Sequence, residues 1–296
     1  MAETNRRPRQ RPYGTSGITV SELAFGAGHL GGADLDDERA RALVSAVVDS
    51  GANLIDTAPS YGCSETRLGK ILGGDTSTHV LLSTKVGYGV PGVGDWTGPC
   101  ITKGIEVACR KLRREQIDLV HLHSCGRDVL ERGEVIEALL AARQAGKVRL
   151  AAYSGDGEAL EWAIDSGHFD GVQCSYNLVD RAAADAIGRA ARKGMGVILK
   201  RPLCNAVWRF DERPEAFDLS SYWDRWQALQ LGDGDRAQAL PFALRVEGAS
   251  CAIVGTSRRA HWQQAVEASA RALTDAQLER YWERYAQVGA SWPGLI

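Results

Sequence analysis

Short apolar runs rich in β-branched residues alternate with longer amphipathic stretches along most of the chain. Regular alternation of strands and helices is typical of a parallel sheet covered by helices, and eight such units predict closure into a barrel. The pattern therefore predicts an α/β fold, a (β/α)8 TIM barrel. Its eight strands are predicted at residues 20–25, 53–56, 80–85, 117–123, 148–154, 169–174, 196–200 and 250–254.

The stretches between these runs carry the start and stop signals of helices. Asp36 and Asp37 lie near the amino end of one stretch, for example, and Gly51 follows it directly. Before the first barrel strand, residues 12–20 predict an N-terminal β-hairpin with Gly14 and Gly17 in its turn region. Helices are predicted at residues 36–50, 102–114, 134–145, 158–166, 181–193 and 274–287.

Length and composition predict a single domain. The chain has 296 residues, of which 44% are hydrophobic and 24% charged, and barrels of this size are routinely one domain. We expect this domain at residues 12–296, after a disordered basic arm at residues 1–11.

Charge and hydropathy argue against several classes of partner. The net charge of -2 gives no general attraction to nucleic acid or acidic membranes. No apolar run approaches the roughly 20 residues of a membrane span, and the first 15 residues lack a signal-peptide core. Seven cysteines without a Cys-x-x-Cys pair indicate reduced thiols and no metal site. We expect a cytoplasmic monomer or small homo-oligomer that acts on a small molecule.

Candidate chemistry lies at the ends of three consecutive predicted strands. Asp56 ends one of them, with Tyr61 just beyond it, Lys85 ends the next, and His123 ends the third. In a parallel barrel these carboxyl ends are neighbours at the rim where active sites lie. The pattern predicts an acid, a phenol, an amine and an imidazole in one pocket.

Taken in order, these segments resemble the aldo-keto reductase family. The resemblance implies a (β/α)8 barrel that binds a nicotinamide dinucleotide and reduces an aldehyde or ketone without a metal. It also implies a catalytic tetrad of Asp56, Tyr61, Lys85 and His123. The matching segments are Asp-Thr-Ala-x-x-Tyr-Gly at 56–62, Ser-Thr-Lys at 83–85, Asp-Leu-x-x-x-His at 118–123, Gly-Lys-Val-Arg at 146–149, Gln-Cys-Ser-Tyr-Asn-Leu-Val-Asp-Arg at 173–181 and Val-Gly-Thr-Ser at 254–257.

Carbonyl reduction gives each of these residue types a task. Negative charge builds on the carbonyl oxygen, so the site needs a proton donor. Tyr61 is the expected general acid, Lys85 is expected to lower the pKa of Tyr61, and Asp56 to hold the lysine. His123 would hydrogen-bond the substrate carbonyl, while His121 lies one layer deeper and would fill the barrel interior or support His123.

Positions that match the family imply a set of cofactor contacts. Ser154 and Gln173 would contact the nicotinamide carboxamide, and Asp56 also belongs to this set. A Gly-Thr-Ser turn that opens a helix presents free amides to an anion, so Gly255, Thr256 and Ser257 are expected to anchor a phosphate.

The cofactor region also departs from the family pattern. Lys200 replaces a tyrosine that often stacks on the nicotinamide, and Arg201-Pro-Leu203 follow it. His261 stands where family members commonly have an arginine. Gln264-Ala265 stand where they have a Glu-Asn pair. Arg258 and Arg259 could supply the positive charge for a 2′-phosphate, so NADP(H) is favoured over NAD(H).

Three tryptophans are predicted to line the substrate. Trp96 lies in the glycine-rich loop after Lys85, Trp208 in a segment at 201–234 without a clear strand, and Trp292 in the tail. Such a mouth suits a hydrophobic or ring-shaped carbonyl compound. The alternative is that these side chains fix loops to the barrel.

The sequence leaves two other functions open. One is a cofactor-sensing regulatory subunit on the same fold, as in potassium-channel beta subunits. The other is an unrelated barrel enzyme in which Lys85 forms a Schiff base.

Overall fold

Eight parallel strands close into a barrel in the computed structural model, which describes residues 7–73 and 79–295. Neighbouring strands pair in chain order, and the last barrel strand pairs with the first. This confirms the predicted (β/α)8 barrel. The strands are β3 (Leu23–Gly26), β4 (Leu54–Asp56), β5 (Leu81–Val86), β6 (Ile117–His123), β7 (Val148–Ser154), β8 (Gly171–Ser175), β9 (Gly196–Lys200) and β10 (Cys251–Gly255).

Helices surround the barrel and bury their apolar faces against the strands. Two 3₁₀ segments, Ala27–Gly31 and the kinked Cys204–Arg209, lie at the strand ends. The α-helices of the described residues are α1 (Asp37–Asp49), α2 (Ser64–Leu72), α3 (Gly98–Leu112), α4 (Arg127–Glu131), α5 (Glu134–Gln144), α6 (Gly157–Ser166), α7 (Ala184–Arg192), α8 (Phe217–Ala228), α9 (Asp233–Arg236), α10 (Ala239–Leu244), α11 (Arg259–Ser269) and α12 (Asp275–Val288).

Strand register sets which side chains meet at the carboxyl rim. In the pairs that matter here, a residue near the carboxyl end of one strand lies beside a residue near the carboxyl end of the next strand. The pairs that position the rim are Gly26 with Asp56, Asp56 with Ser83, Lys85 with His121, His123 with Ser154 and Ser154 with Gln173.

An N-terminal hairpin closes the opposite end of the barrel. It consists of β1 (Gln10–Pro12) and β2 (Thr19–Ser21), which pair antiparallel. Tyr13 in its loop is fully buried in the barrel interior. A Cβ at Gly196 would collide with the Tyr13 ring, and one at Gly171 would collide with its hydroxyl. These glycines begin β9 and β8, so Tyr13 covers the amino ends of the strands.

The first predicted strand, at residues 20–25, is divided between β2 and β3. The chain bends at Glu22, whose amide donates to the Arg9 carbonyl at 2.8 Å and whose buried carboxylate pairs with Arg11 at 2.8 Å. These contacts also correct the prediction of a disordered arm, because Gln10 and Arg11 lie in β1. Residues 1–6 of that arm lie outside the described residues.

Local capping moves two predicted helix starts. Helix α3 begins at Gly98 rather than 102, because the Thr97 hydroxyl accepts a hydrogen bond from the Cys100 amide. Helix α7 begins at Ala184 rather than 181, because the Asn177 side chain holds the preceding residues in a turn. The 201–234 segment contains α8 and the first two residues of α9. In the described residues no helix combines the length and hydropathy needed to cross a membrane.

Tyr13 offers a test of the interior packing. Its hydroxyl is buried and has no hydrogen-bond partner among the described residues. An unpaired buried hydroxyl destabilises the folded state, so the free energy of unfolding of Tyr13→Phe, measured in urea, should equal or exceed that of the wild type. Tyr13→Ala should lose about 3–5 kcal/mol because it leaves a cavity. A loss of more than about 1 kcal/mol in Tyr13→Phe would show that the hydroxyl has a stabilising partner.

Candidate active site

Four ionisable side chains reach one cavity at the carboxyl ends of the strands. Asp56 ends β4, Lys85 lies in β5, His123 ends β6, and Tyr61 lies in the loop between β4 and α2. All four line a cavity of about 520 Å³, so the structure brings together the predicted tetrad. The predicted cofactor residues that also line this cavity are Ser154, Gln173, Lys200, Arg201, Leu203 and Gly255.

Asp56 and Lys85 form a buried ion pair in this cavity. The Lys85 Nζ lies 2.5 Å from Asp56 Oδ2 and donates to the Thr57 carbonyl at 2.8 Å. Burial alone would raise the pKa of Asp56. The charge of Lys85 and the hydrogen bonds from Lys85 and Ser83 nevertheless hold this pKa below its usual value. Asp56 is therefore a carboxylate at neutral pH and compensates the charge of Lys85.

Tyr61 is fixed beside this ion pair by a close backbone approach. A Cβ at Gly31 would collide with the Tyr61 carbonyl oxygen, so the absence of a side chain at Gly31 allows the contact. The Lys85 Nζ is 5.4 Å from the centre of the Tyr61 ring. Burial, followed by the charge of Asp56, raises the pKa of Tyr61 above its usual value of about 10. These two effects dominate, so the expectation that Lys85 lowers the pKa of Tyr61 stays a prediction.

His123 has a partner that the sequence analysis missed. The Tyr88 hydroxyl lies 2.6 Å from His123 Nδ1, and the two rings are stacked with centroids 5.4 Å apart. Burial, followed by the charge of Lys85, lowers the pKa of His123 to about 3, so this imidazole is neutral at neutral pH. The available sequence signal for Tyr88 was its place in the glycine-rich loop after Lys85.

His121 lies deeper in the barrel and is fully buried. Its Nε2 is 3.1 Å from Ser83 Oγ, and the Ser83 hydroxyl donates to Asp56 Oδ1 at 2.7 Å. Burial lowers the pKa of His121 to about 4. His121 thus fills the barrel interior, as the strand alternation predicted, and contacts the residue that holds Asp56.

Two neutral buried histidines predict a loss of stability in mild acid. Unfolded histidines take up protons near pH 6.5, whereas the folded protein holds the pKa values of His121 and His123 at about 4 and about 3. The unfolded state therefore binds more protons below pH 6.5. The free energy of unfolding should fall as the pH falls from about 6.5 to about 4.

His123→Gln should reduce that slope by up to about one proton, or about 1.4 kcal/mol per pH unit. Urea unfolding at a series of pH values measures the slope. The exposed His168 provides a matched control, since His168→Gln should leave the slope unchanged. An unchanged slope in His123→Gln would contradict a neutral, buried His123.

Ser154 and Gln173, predicted to contact a carboxamide, lie side by side. The Ser154 hydroxyl donates to Gln173 Oε1 at 2.9 Å, and Gln173 Nε2 donates to Asp56 Oδ1 at 3.2 Å. The serine oxygen and the second amide hydrogen of Gln173 remain as an acceptor and a donor. An amide group placed in the cavity would find both types of partner.

Comparison with known proteins identifies the family. The model of the Aldo/keto reductase family matches residues 22–285. The chain belongs to the aldo/keto reductase family. Its members use nicotinamide cofactors.

Individual aldo/keto reductases and their relatives match over different lengths. The 6-dehydroglucose reductase of Novosphingobium aromaticivorans is 32% identical, and the match spans 50% of this chain and 52% of that protein. The D-threo-aldose 1-dehydrogenase of a Pseudomonas species is 25% identical over 86% of this chain and 91% of its own length. The structure of a Bacillus halodurans aldo-keto reductase in its holo form superposes with a TM-score of 0.82, at 25% identity, covering 94% of this chain and 96% of that one.

Lys200 and Arg201 occupy a polar corner of the cavity. The Lys200 Nζ lies 2.7 Å from Asp156 Oδ2, and Asp156 Oδ1 accepts from the Ser175 amide at 2.7 Å. Arg201 donates to the Ser175 hydroxyl and to the Leu295 carbonyl, each at 3.1 Å. The side chain that replaces the family's usual tyrosine is therefore tied at its tip to a buried carboxylate.

The predicted phosphate anchor continues beyond the cavity lining at Gly255. The Thr256 hydroxyl accepts from the Arg258 amide at 3.1 Å, just before α11. The contacts of this group with a cofactor stay predictions. The predicted residues outside the cavity lining are Thr256, Ser257, Arg258, Arg259, His261 and Gln264.

None of the three predicted tryptophans lines the cavity. Trp96 packs against Tyr88, with ring centroids 5.8 Å apart. Trp208 packs against Trp226 at 5.1 Å, and Trp292 lies against Tyr285 at 5.7 Å. Each of these rings packs against the hydrophobic core and a neighbouring aromatic side chain, as the alternative expected, and a contact of the three tryptophans with the substrate stays a prediction.

Residues that the sequence analysis missed form this part of the wall. They come from the 201–234 segment, and Asn205 Nδ2 donates to the Asp218 carbonyl at 3.0 Å to hold the segment together. This part of the wall mixes polar and aliphatic side chains. Its residues from this segment include Asn205, Ala206, Arg209, Asp218 and Leu219.

Proposed function

We propose that the protein is an NAD(P)H-dependent oxidoreductase that interconverts an aldehyde or ketone and an alcohol. One observation carries the proposal: Tyr61, the neutral His123 and the buried Asp56–Lys85 pair line a single cavity. This set supplies a proton donor, a hydrogen-bond donor and a fixed ion pair. These are the groups that carbonyl reduction needs.

Each residue has a role that follows from its protonation state. The bound nicotinamide would supply the hydride. Tyr61 keeps its proton because its pKa is raised, and it gives the proton to the substrate oxygen as that oxygen gains negative charge. His123 donates a hydrogen bond to the same oxygen, and Lys85, aligned by Asp56, stabilises the phenolate that Tyr61 becomes. In the alcohol direction Tyr61 takes the proton back.

The residues present fit a nicotinamide dinucleotide. Ser154 and Gln173 offer an acceptor and a donor to the carboxamide. Gly255 and Thr256 lead into the amino end of α11, where free amides favour a phosphate. Exposed Arg258 and Arg259 at this end add positive charge, which favours NADP(H) over NAD(H).

The cavity wall also bears on the substrate. Asn205, Arg209 and Asp218 add polar side chains to this wall, so we propose a carbonyl compound that carries further polar groups. The names of two relatives, 6-dehydroglucose reductase and D-threo-aldose 1-dehydrogenase, point to sugars as the first compounds to screen.

Alternative functions have less support. Lys85 Nζ is held by Asp56 and Thr57 and its side chain is 2% exposed, which opposes attack on a carbonyl carbon. A probable potassium-channel beta subunit of rice is 33% identical over 116 residues, 37% of this chain. A complete tetrad favours turnover over sensing alone.

Tyr61→Phe tests the proposed function. It removes the proton donor and leaves the ion pair, so NADPH oxidation with a carbonyl substrate should fall at least about a hundredfold. Cofactor affinity, measured by fluorescence titration, should stay unchanged. Tyr153→Phe is the matched control, because the Tyr153 hydroxyl donates to the Cys125 carbonyl and does not line the cavity. Retention of more than about a tenth of the wild-type rate in Tyr61→Phe would exclude Tyr61 as the donor.

The cofactor preference has a separate test. Replacing both Arg258 and Arg259 by Ala should weaken NADPH binding. The loss should be about tenfold to hundredfold for each charge-assisted hydrogen bond to the 2′-phosphate that the variant removes. NADH binding should not change, because NADH has no 2′-phosphate. Arg271→Ala removes an exposed arginine beyond the other end of α11 and should change neither affinity. Equal weakening of both cofactors, or of neither, in the double variant would exclude these arginines as the 2′-phosphate site.

A further inference from the structure

We propose that Tyr88 is a positioning residue that fixes the ring tautomer of His123, so that Nε2 carries the hydrogen and donates to the substrate oxygen. The inference rests on the proposed carbonyl chemistry. It adds to that chemistry a residue outside the tetrad, together with the loop that carries it.

The loop after β5 is built to hold Tyr88 in place. Gly87 has a φ of +140°, and a Cβ there would collide with the Trp96 ring. The Trp96 amide donates to the Gly87 carbonyl at 2.7 Å, and Trp96 itself has a φ of 58°. The Gly89 amide donates to Asp95 Oδ1 at 3.0 Å. Tyr88 thereby packs against both Trp96 and His123, with ring centroids 5.8 Å and 5.4 Å away.

Hydrogen-bond capacity then limits the arrangement of the protons. A neutral imidazole has one N–H, and a phenol has one O–H. His123 Nδ1 is taken by the Tyr88 hydroxyl at 2.6 Å, and in the described residues Nε2 has no protein hydrogen-bond partner. If the phenol donates to Nδ1, the imidazole hydrogen is on Nε2. The reverse arrangement would leave Nε2 as an acceptor, which would repel an oxygen that gains negative charge.

Ser60 offers the Tyr88 hydroxyl a second acceptor. The phenol can donate to Ser60 Oγ at 3.1 Å, but its contact with His123 Nδ1 is shorter, at 2.6 Å. The shorter contact favours donation to Nδ1, which leaves Nε2–H directed to the substrate.

The tautomer can be observed without turnover. Two-bond ¹⁵N–¹H spectra of protein labelled at histidine report which ring nitrogen carries the hydrogen, and His123→Gln assigns the signal. The wild-type protein should show His123 with its hydrogen on Nε2, and Tyr88→Phe should shift the signal toward a mixture of tautomers. A hydrogen on Nδ1 in the wild type, or an unchanged signal in Tyr88→Phe, would overturn the proposal even if the protein reduces carbonyls.

Kinetics provide the second readout. Tyr88→Phe keeps the ring stack and loses one neutral hydrogen bond, so kcat should fall roughly threefold to tenfold, with little change in KM or cofactor affinity. Tyr153→Phe serves again as the control for loss of a tyrosine hydroxyl elsewhere in the barrel. A fall as large as that of Tyr61→Phe would make Tyr88 the proton donor instead and would overturn the positioning role. Absence of turnover in the wild type would count against the proposed function alone, because the spectra test the tautomer independently.

Discussion

The site depends on the buried Asp56–Lys85 ion pair. Moving two charges out of water costs several kcal/mol for each ion, and the attraction between them offsets this cost only when their remaining hydrogen-bonding groups are also satisfied. Here Lys85 Nζ donates to the Thr57 carbonyl, and Asp56 Oδ1 accepts from Ser83 and Gln173. These partners come from β5, β8 and the residue after β4. The pair is therefore stable only while the rim keeps its register, and the positions of the other site residues follow from that register.

Burial determines the protonation state of the neighbours of this pair. The charges of the pair add to its effect, Asp56 at Tyr61 and Lys85 at His123. Burial raises the pKa of Tyr61 and lowers the pKa of His123 to about 3. Both side chains are consequently neutral, and each has a single hydrogen to share. A cavity in which the phenol and the imidazole are both uncharged can stabilise negative charge by hydrogen bonding without presenting a free carboxylate to the substrate.

Strand pattern was sufficient to locate three of the four candidate residues, because side chains at the ends of parallel strands are positioned by a backbone of regular geometry, whereas the role of Tyr61, in the loop after β4, was implied by the family resemblance. Asp56, Lys85 and His123 end or nearly end their strands, so counting apolar runs located them. Loop side chains were not predictable in this way. Tyr88 and Trp96 take their directions from positive φ angles, 140° at Gly87 and 58° at Trp96, which leave no periodic signal in the sequence. Long aromatic side chains in loops can also turn toward the core, as Trp96, Trp208 and Trp292 do, and the strand pattern does not set this direction.

The segment after β9 shows how much local strain the cavity wall contains. Arg201, Cys204, Asn205 and Ala206 all have φ between 49° and 57°, a region that costs non-glycine residues of order 1–3 kcal/mol each. Such conformations persist only when surrounding contacts hold them. Here Asn177 donates to the Arg201 carbonyl at 3.0 Å, and the Arg201 side chain reaches the tail. Arg201, Asn205 and Ala206 line the same cavity as the tetrad, so the strained residues form part of the cavity wall. The contacts that offset the strain come from the loop after β8 and from the tail. The tail thus helps to form the site through Arg201 rather than through the ring of Trp292.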